Sequence, residues 1–203
     1  FLHTAKNSAV VQREIGSDAN SFSEALVSAM RQDPEVIMIG EIRDYATAQA
    51  ALSAAQTGHL VFSTLHTMDT VRTVNRMIEL FPPHERGTAR LLFAESLVGI
   101  VSQRLLPRKG GNGRIAAHEI LKGTLRIKDL VKDEARTPEL YDAIRDSRLD
   151  GMMMFDDNIA ELYGQDVIDY VTGAAAATSA QYFKMAATQI DLERGRETPM
   201  MVE

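Results

Sequence analysis

The sequence predicts an α/β fold in which a parallel sheet is flanked by helices and followed by a small helical subdomain, and three observations carry that reading. Val36-Ile37-Met38-Ile39 is an unbroken apolar run between turn residues, the pattern of a strand buried on both faces. An alanine-rich helical stretch and a second short strand, Leu60 to Thr64, follow it, and strand, helix and strand in roughly thirty residues make a βαβ unit with parallel strands. From Thr124 onward the pattern changes to short amphipathic helices.

Each element has a local reason. Residues 8–15, Ser-Ala-Val-Val-Gln-Arg-Glu-Ile, read as a first short strand closed by Gly16, Ser17 and Asp18. Ser21 stands at an N-cap with Glu24 three residues on, the capping-box spacing, so a helix is expected from Phe22 to about Gln32, ended by Asp33-Pro34. After the Val36 strand, Asp44 caps a helix running to Gln56, and Gly58 ends it. Asp69 opens a helix with Val71, Val74, Ile78 and Phe81 at the 3.6 period, terminated by Pro82-Pro83. The stripe Leu91, Ala94, Val98, Val101 and Leu105 predicts one long helix over 84–105. Pro107 to Gly113 is a glycine-rich basic loop, and Arg114 to Leu121 a final strand. Short helices follow at Leu125–Val131, Pro138–Arg145, Phe155–Leu162 and Val167–Val171. The expected organisation is a core over 1–123, a helical subdomain over 124–192 and a disordered tail over 193–203.

Composition narrows the chemistry. The 203 residues are 45% apolar and 25% charged, an ordinary globular balance that excludes a disordered or fibrous chain. With 22 basic and 28 acidic side chains the net charge is -6, so nucleic acid is not the expected partner. Six acids and no Lys or Arg lie between Arg148 and Lys184, which predicts a local acidic field. The absence of cysteine excludes disulfides, thiolate zinc, iron–sulfur centres and a thiol nucleophile within these residues. No run reaches the roughly 20 apolar residues that span a bilayer, and no signal peptide precedes the fold, so a cytoplasmic segment of a longer chain is expected.

The candidate residues gather at the carboxyl ends of the two strands, where open α/β sheets place their ligands. Glu41 follows the first strand and can orient or deprotonate a water; the plainer alternative is a strand-end carboxylate paired with Arg43 or Arg72. Thr64, His66 and Thr67 end the neighbouring strand, where the imidazole either donates to a phosphate oxygen or satisfies loop carbonyls. Glu14 is another strand-terminal acid. His59 and His66 are seven apart, so along one strand they project to opposite faces, and neither lies in a His-Glu-x-x-His helix; protein-ligated zinc is not expected.

In order along the chain, these pieces resemble a known family. Asp33-Pro-Glu-Val-Ile-Met-Ile-Gly-Glu-Ile-Arg-Asp44 followed by Thr57-Gly-His-Leu-Val-Phe-Ser-Thr-Leu-His-Thr67 is similar to the Walker B and histidine-box motifs of the secretion ATPase superfamily, the GspE-type and PilT-type hexameric motors. Gln12-Arg-Glu14 with Phe22-Ser-Glu-Ala-Leu26 resembles their aspartate box. Glu79-Leu-Phe-Pro-Pro83, Glu95-Ser-Leu97, Ser102-Gln-Arg-Leu105 and Gly113-Arg-Ile-Ala-Ala-His-Glu-Ile-Leu121 resemble the PilT-type retraction motors of type IV pili. Arg126-Ile-Lys-Asp-Leu-Val131 matches only part of that branch's signature, which leaves open a PilU-type accessory motor or a type IV secretion motor.

The resemblance implies a RecA-like P-loop NTPase core using ATP and Mg²⁺. In it Glu41 acts as general base, Glu14 holds Mg²⁺ through its water shell, and His66 senses the γ-phosphate. His59 and Thr64 support that edge, and Arg31 reaches a neighbouring subunit's nucleotide. It further implies a homohexamer, with or without a second retraction ATPase, working on an inner-membrane platform protein from the cytoplasmic face. A Gly40 stands where most P-loop enzymes carry an Asp before the catalytic Glu, and Glu14 is expected to compensate. These residues contain no Gly-x-x-x-x-Gly-Lys-[Ser/Thr] loop, so they are not expected to hydrolyse ATP alone.

Overall fold

The computed structural model describes residues 3–196. The described residues divide into two compact units, one formed by those up to His66 with Asn75–Ser96 and the other by Thr67–Val74 with those from Leu97 onward.

The first unit holds the βαβ element. Ser21 caps α1 (Phe22–Met30) by accepting from the Glu24 N–H, and Asp33, in the left-handed region at φ 54°, turns the chain before Pro34. Strands β1 (Val36–Met38) and β2 (Leu60–Phe62) pair in parallel, with Val36 opposite Leu60 and Met38 opposite Phe62. Between them runs α2 (Tyr45–Gln56), whose cap Asp44 accepts from the Thr47 N–H at 2.8 Å. Helix α3 (Thr70–Glu79) starts in the second unit and ends in the first, and α4 (Arg86–Ser96) follows the double proline. Ile37, Ile39 and Ile42 from the strand segment pack with Leu26, Leu52, Met77, Ile78 and Phe81 into one core. Alternation wins over the expected burial on both faces: Ile37 is buried, whereas Val36, Met38, Leu60 and Phe62 form an exposed apolar face.

In the second unit β3 (Gly99–Pro107) and β4 (Arg114–Lys122) form an antiparallel hairpin closed by the glycine-rich loop. Then come α5 (Leu125–Lys132), α6 (Leu140–Asp146), α7 (Phe155–Gly164), α8 (Tyr170–Ala176) and α9 (Ala180–Glu193). Leu106 and Ala117 of the hairpin share a core with Phe155, Ile159, Tyr163, Tyr170 and Phe183. The Tyr163, Tyr170 and Phe183 rings meet with centroids 5.6, 5.8 and 6.1 Å apart. The Arg104 guanidinium lies 4.0 Å from the Phe155 ring centre and donates to the Ala176 carbonyl, pinning the end of α8.

Several expectations are corrected. Residues 8–14 form no strand: they run exposed for the most part and find no partner strand among the described residues, and only Ile15 bridges to Ala19. The long helix over 84–105 stops at Ser96, and its second half is β3. A spacing of four fits both periods, and in the strand it is Ser102 and Leu106 that are buried, with Val101 and Leu105 facing out. Gly99 and the β-branched pair after it favour the strand. The last short helix is shifted to Tyr170–Ala176, because Asp169 provides the cap by accepting from the Thr172 N–H. The expected tail begins inside α9, and Arg196 pairs with Asp166 and Asp191; residues 197–203 lie outside the described residues.

Two glycines are dictated by close approach. A Cβ on Gly123 would lie 2.0 Å from the Leu97 carbonyl oxygen, and one on Gly173 would lie 2.3 Å from the Phe183 ring. Backbone cannot rotate away as a side chain can. Gly173→Ala also regains about 1 kcal/mol of helix propensity, so a net loss of roughly 1–2 kcal/mol is expected. Gly123→Ala has no such offset and is expected to cost roughly 3 kcal/mol. Urea unfolding midpoints measure both, and a Gly123→Ala midpoint equal to the parent's would contradict this packing.

Candidate functional site

The site is built at the carboxyl tips of β1 and β2. Pairing continues past the strands, with Ile39 N–H donating to the Phe62 carbonyl at 2.8 Å and Ile42 N–H to the Thr64 carbonyl at 3.1 Å. The Thr64 hydroxyl closes the gap by donating to the Gly40 carbonyl at 2.7 Å. The two segments are thus zipped through residue 42, which carries Glu41 and His66 to one edge.

There the His66 Nε2 lies 3.1 Å from Glu41 Oε2, and the Arg43 Nε lies 2.7 Å from the same oxygen. Nε2 faces an acceptor, so it is the nitrogen that carries the hydrogen in this pair. The Glu41 side chain is 26% exposed, against 77% for His66 and 71% for Arg43, so a half-sunk carboxylate is met by two solvent-facing donors. The hydrogen bond from His66, followed by that from Arg43, outweighs desolvation and holds the Glu41 carboxyl below its ordinary value. Both donors load Oε2, which leaves Oε1 directed to other partners. One further polar atom at this edge, Ser63 Oγ, is buried without a hydrogen-bond partner, the condition in which a water or ligand atom is accommodated.

The other sequence candidates lie elsewhere. Glu14 sits exposed in a tight turn in which its N–H donates to the Asp18 carboxylate and its carbonyl accepts from the Asp18 N–H. Arg31 is exposed at the end of α1. His59 does not support the Glu41 edge: it precedes β2, at the opposite end of the strand from Thr64. Its Nδ1 lies 3.0 Å from both the Ala54 carbonyl and the Thr57 hydroxyl, so it clasps the turn out of α2. Arg72, the other suggested partner of Glu41, pairs with Asp69 at 3.3 Å instead. Among the described residues no three His, Asp or Glu side chains are placed to hold a metal ion. Sequence reasoning singled out neither Ser63 nor Glu119; a polar residue inside an apolar strand was the available signal in both cases.

The family described as "Type II/IV secretion system protein" matches residues 5–162. The type IV pilus retractation ATPase PilT of Pseudomonas aeruginosa is 44% identical over 156 residues, which are 77% of this chain and 45% of that protein. A twitching motility protein of Neisseria gonorrhoeae is 40% identical over 168 residues, 83% of this chain and 45% of that protein. Among solved structures, that of the pilus retraction motor PilT with bound ADP superposes with a TM-score of 0.78 at 38% identity, covering 89% of this chain and 50% of that one. The chain thus spans about half the length of the relatives it matches. The α/β fold is that of the RecA-like core of these ATPases followed by their helical C-terminal region. With a family match over most of its length and relatives at this identity, the chain belongs to the type II/IV secretion system protein family.

Proposed function

We propose that this chain works as part of a hexameric ATPase that retracts type IV pili, acting on an inner-membrane platform protein from the cytoplasmic side. The observation that carries the reading is the meeting of Glu41 and His66, 3.1 Å apart, on adjoining parallel strand tips. Identity to PilT and to a twitching motility protein supports the retraction branch, and the ADP bound in the solved PilT supports a nucleotide as the ligand. No helix among the described residues is long and apolar enough to cross a membrane.

In this reading Glu41 orients the attacking water through Oε1 and takes its proton as bond formation to phosphorus advances. Arg43 and His66 fix the carboxylate by its other oxygen, so its orientation is set before substrate arrives. The His66 side chain is exposed enough to leave Glu41 for a phosphate oxygen. Thr64 holds the Gly40 carbonyl, which locks the residue before Glu41. Mg²⁺, when bound, neutralises phosphate charge, and Glu14 is assigned to its water shell. Arg31 is assigned to a neighbouring subunit's nucleotide in the homohexamer. The phosphate-binding loop is not among these 203 residues, so the activity belongs to a polypeptide that supplies one.

Two outcomes are expected. In a polypeptide that joins these residues to the family's phosphate loop, Glu41→Gln lowers kcat for ATP by about 10²-fold or more while leaving KM within about threefold. Unchanged turnover in that variant rules out the general-base assignment. In the chain itself, a carboxyl-carbon NMR titration of Glu41 gives a pKa below the usual carboxylate range, and His66→Asn moves it upward, because the removed hydrogen bond favours the charged form. A titration that His66→Asn leaves in place contradicts the pairing.

A further inference from the structure

A groove within the first unit lies between α2 and α4 and is bounded by the turn that joins α3 to α4. Buried Leu52 and Phe81 and half-buried Leu92 give it an apolar floor, and exposed Ser53 and Thr88 stand at its rim with Glu85. Its volume is about 310 Å³. Small-molecule sites occupy roughly 300–1,000 Å³, so a groove at the bottom of that range has room for one long side chain rather than for a whole cofactor.

Glu85 gives the groove its charge. Its Oε2 accepts from the Tyr45 hydroxyl at 2.8 Å, and the Tyr45 ring meets the Phe81 ring edge-on with centroids 5.5 Å apart, which holds the carboxylate beside the apolar floor. The neighbouring cation is spent elsewhere: Arg86 Nε donates to the Phe81 carbonyl at 3.0 Å and its Nη2 to the Glu79 carbonyl at 3.5 Å. His84 Nε2 lies 3.4 Å from Glu85 Oε1, but that imidazole is 79% exposed and carries charge only when protonated. Among the described residues no Lys or Arg pairs with Glu85. Ser53 gives its hydroxyl hydrogen to the Gln49 carbonyl at 2.9 Å, so what its oxygen offers at the rim is an acceptor.

An apolar floor beside an anchored carboxylate and further acceptors is complementary to an apolar stem that ends in a cation with many donors. Arginine has that form: its methylenes lie along apolar surface while a planar fork of five donors reaches several acceptors, where a lysine ammonium offers three donors from one point. We propose that this groove is a docking site for an arginine presented by an exposed segment of a partner protein, with the stem on Leu52 and Phe81 and the guanidinium on Glu85. Arginines that fill such pockets are recurrent anchors of protein interfaces. The inference goes beyond the nucleotide reading and does not rest on it, because none of these residues belongs to the strand-tip site.

The test is methyl NMR of the full chain, following the Leu52 and Leu92 methyl groups as the capped residue N-acetyl-arginine-N-methylamide is added. A single side chain in a partly open groove is expected to bind with a Kd of about 1–10 mM, and both leucines shift together. Capped citrulline keeps the shape without the charge and is expected to bind about fivefold more weakly. Glu85→Gln, whose amide oxygen still accepts from Tyr45, is expected to weaken the arginine probe by about the same factor. Should Glu85→Gln fail to fold, Thr88→Arg places a guanidinium three residues after Glu85 and is expected to abolish the shifts by filling the groove itself. Leucines that do not shift at roughly 50 mM probe, equal binding of the arginine and citrulline probes, or undiminished binding to either variant overturns the proposal. Tighter binding of free n-butylguanidinium than of the capped residue makes the occupant a small molecule, and leucine shifts that grow with protein concentration without any probe make it a second copy of this chain. Either result overturns the assignment to a partner protein.

Discussion

Everything at the candidate site depends on two three-residue strands running in the same direction. Parallel pairing puts both carboxyl ends at one edge, so the residues after β1 and after β2 become neighbours although 25 positions separate Glu41 from His66. An antiparallel pairing of the same strands would place them at opposite ends. The direction is set by α2, which returns the chain across the sheet and packs Ala48, Ala51 and Leu52 against Ile37 and Ile39. The capping bond from Asp44 fixes where that return begins, three residues after Glu41. The geometry at the candidate site is thus a by-product of a buried isoleucine face and a helix start.

That dependence explains why the polar groups can be so exposed. His66 and Arg43 are mostly in solvent, where an ion pair adds little to stability and exchanges partners readily. The backbone beneath them carries the order, through the Ile42 to Thr64 bond and the Thr64 hydroxyl on Gly40. The strand tips are firm and the side chains they carry are loosely held. Glu119 shows the opposite economy: it is buried, saturated with backbone and hydroxyl donors, and far less free to exchange.

The sequence was legible where a few adjacent residues decide the outcome. Ser21 and Asp44 announced α1 and α2 because a cap is a bond between a side chain and an amide two or three residues on. Glu41 and His66 were legible because strand ends are marked by the turn residues that follow. What needed a distant partner was not. Residues 8–14 have strand composition but no strand to pair with among the described residues, whereas 99–107 have a helical stripe yet pair with 114–122. The choice of Arg43 over Arg72 rested on where α3 turns its face, with Arg72 taken up by the cap Asp69. Glu119 shows in the sequence only as a polar residue inside an apolar strand, and its partners Thr70 and Phe155 are distant in the chain.

The charge pattern also has a local use in the fold. The six acids between Arg148 and Lys184 read as a local acidic field, and most of them also take hydrogen bonds or ion pairs within the fold. Asp156 accepts from the Thr178 and Ser179 amides, Asp157 from the Tyr182 hydroxyl, and Asp169 from the Thr172 amide at the start of α8. Glu161 pairs with Arg148, and Asp166 with Lys109 and Arg196. The cations come from outside the window that lacks them, and the remaining donors are N–H and O–H groups that a count of formal charge does not register. Short helices in quick succession present many unpaired amides at their starts, and acidic side chains are the cheapest way to satisfy them. A hydrogen bond from a neutral N–H or O–H does not cancel a carboxylate's charge, so Glu161 and Asp166 are offset by cations whereas Asp156, Asp157 and Asp169 still contribute to a local acidic field.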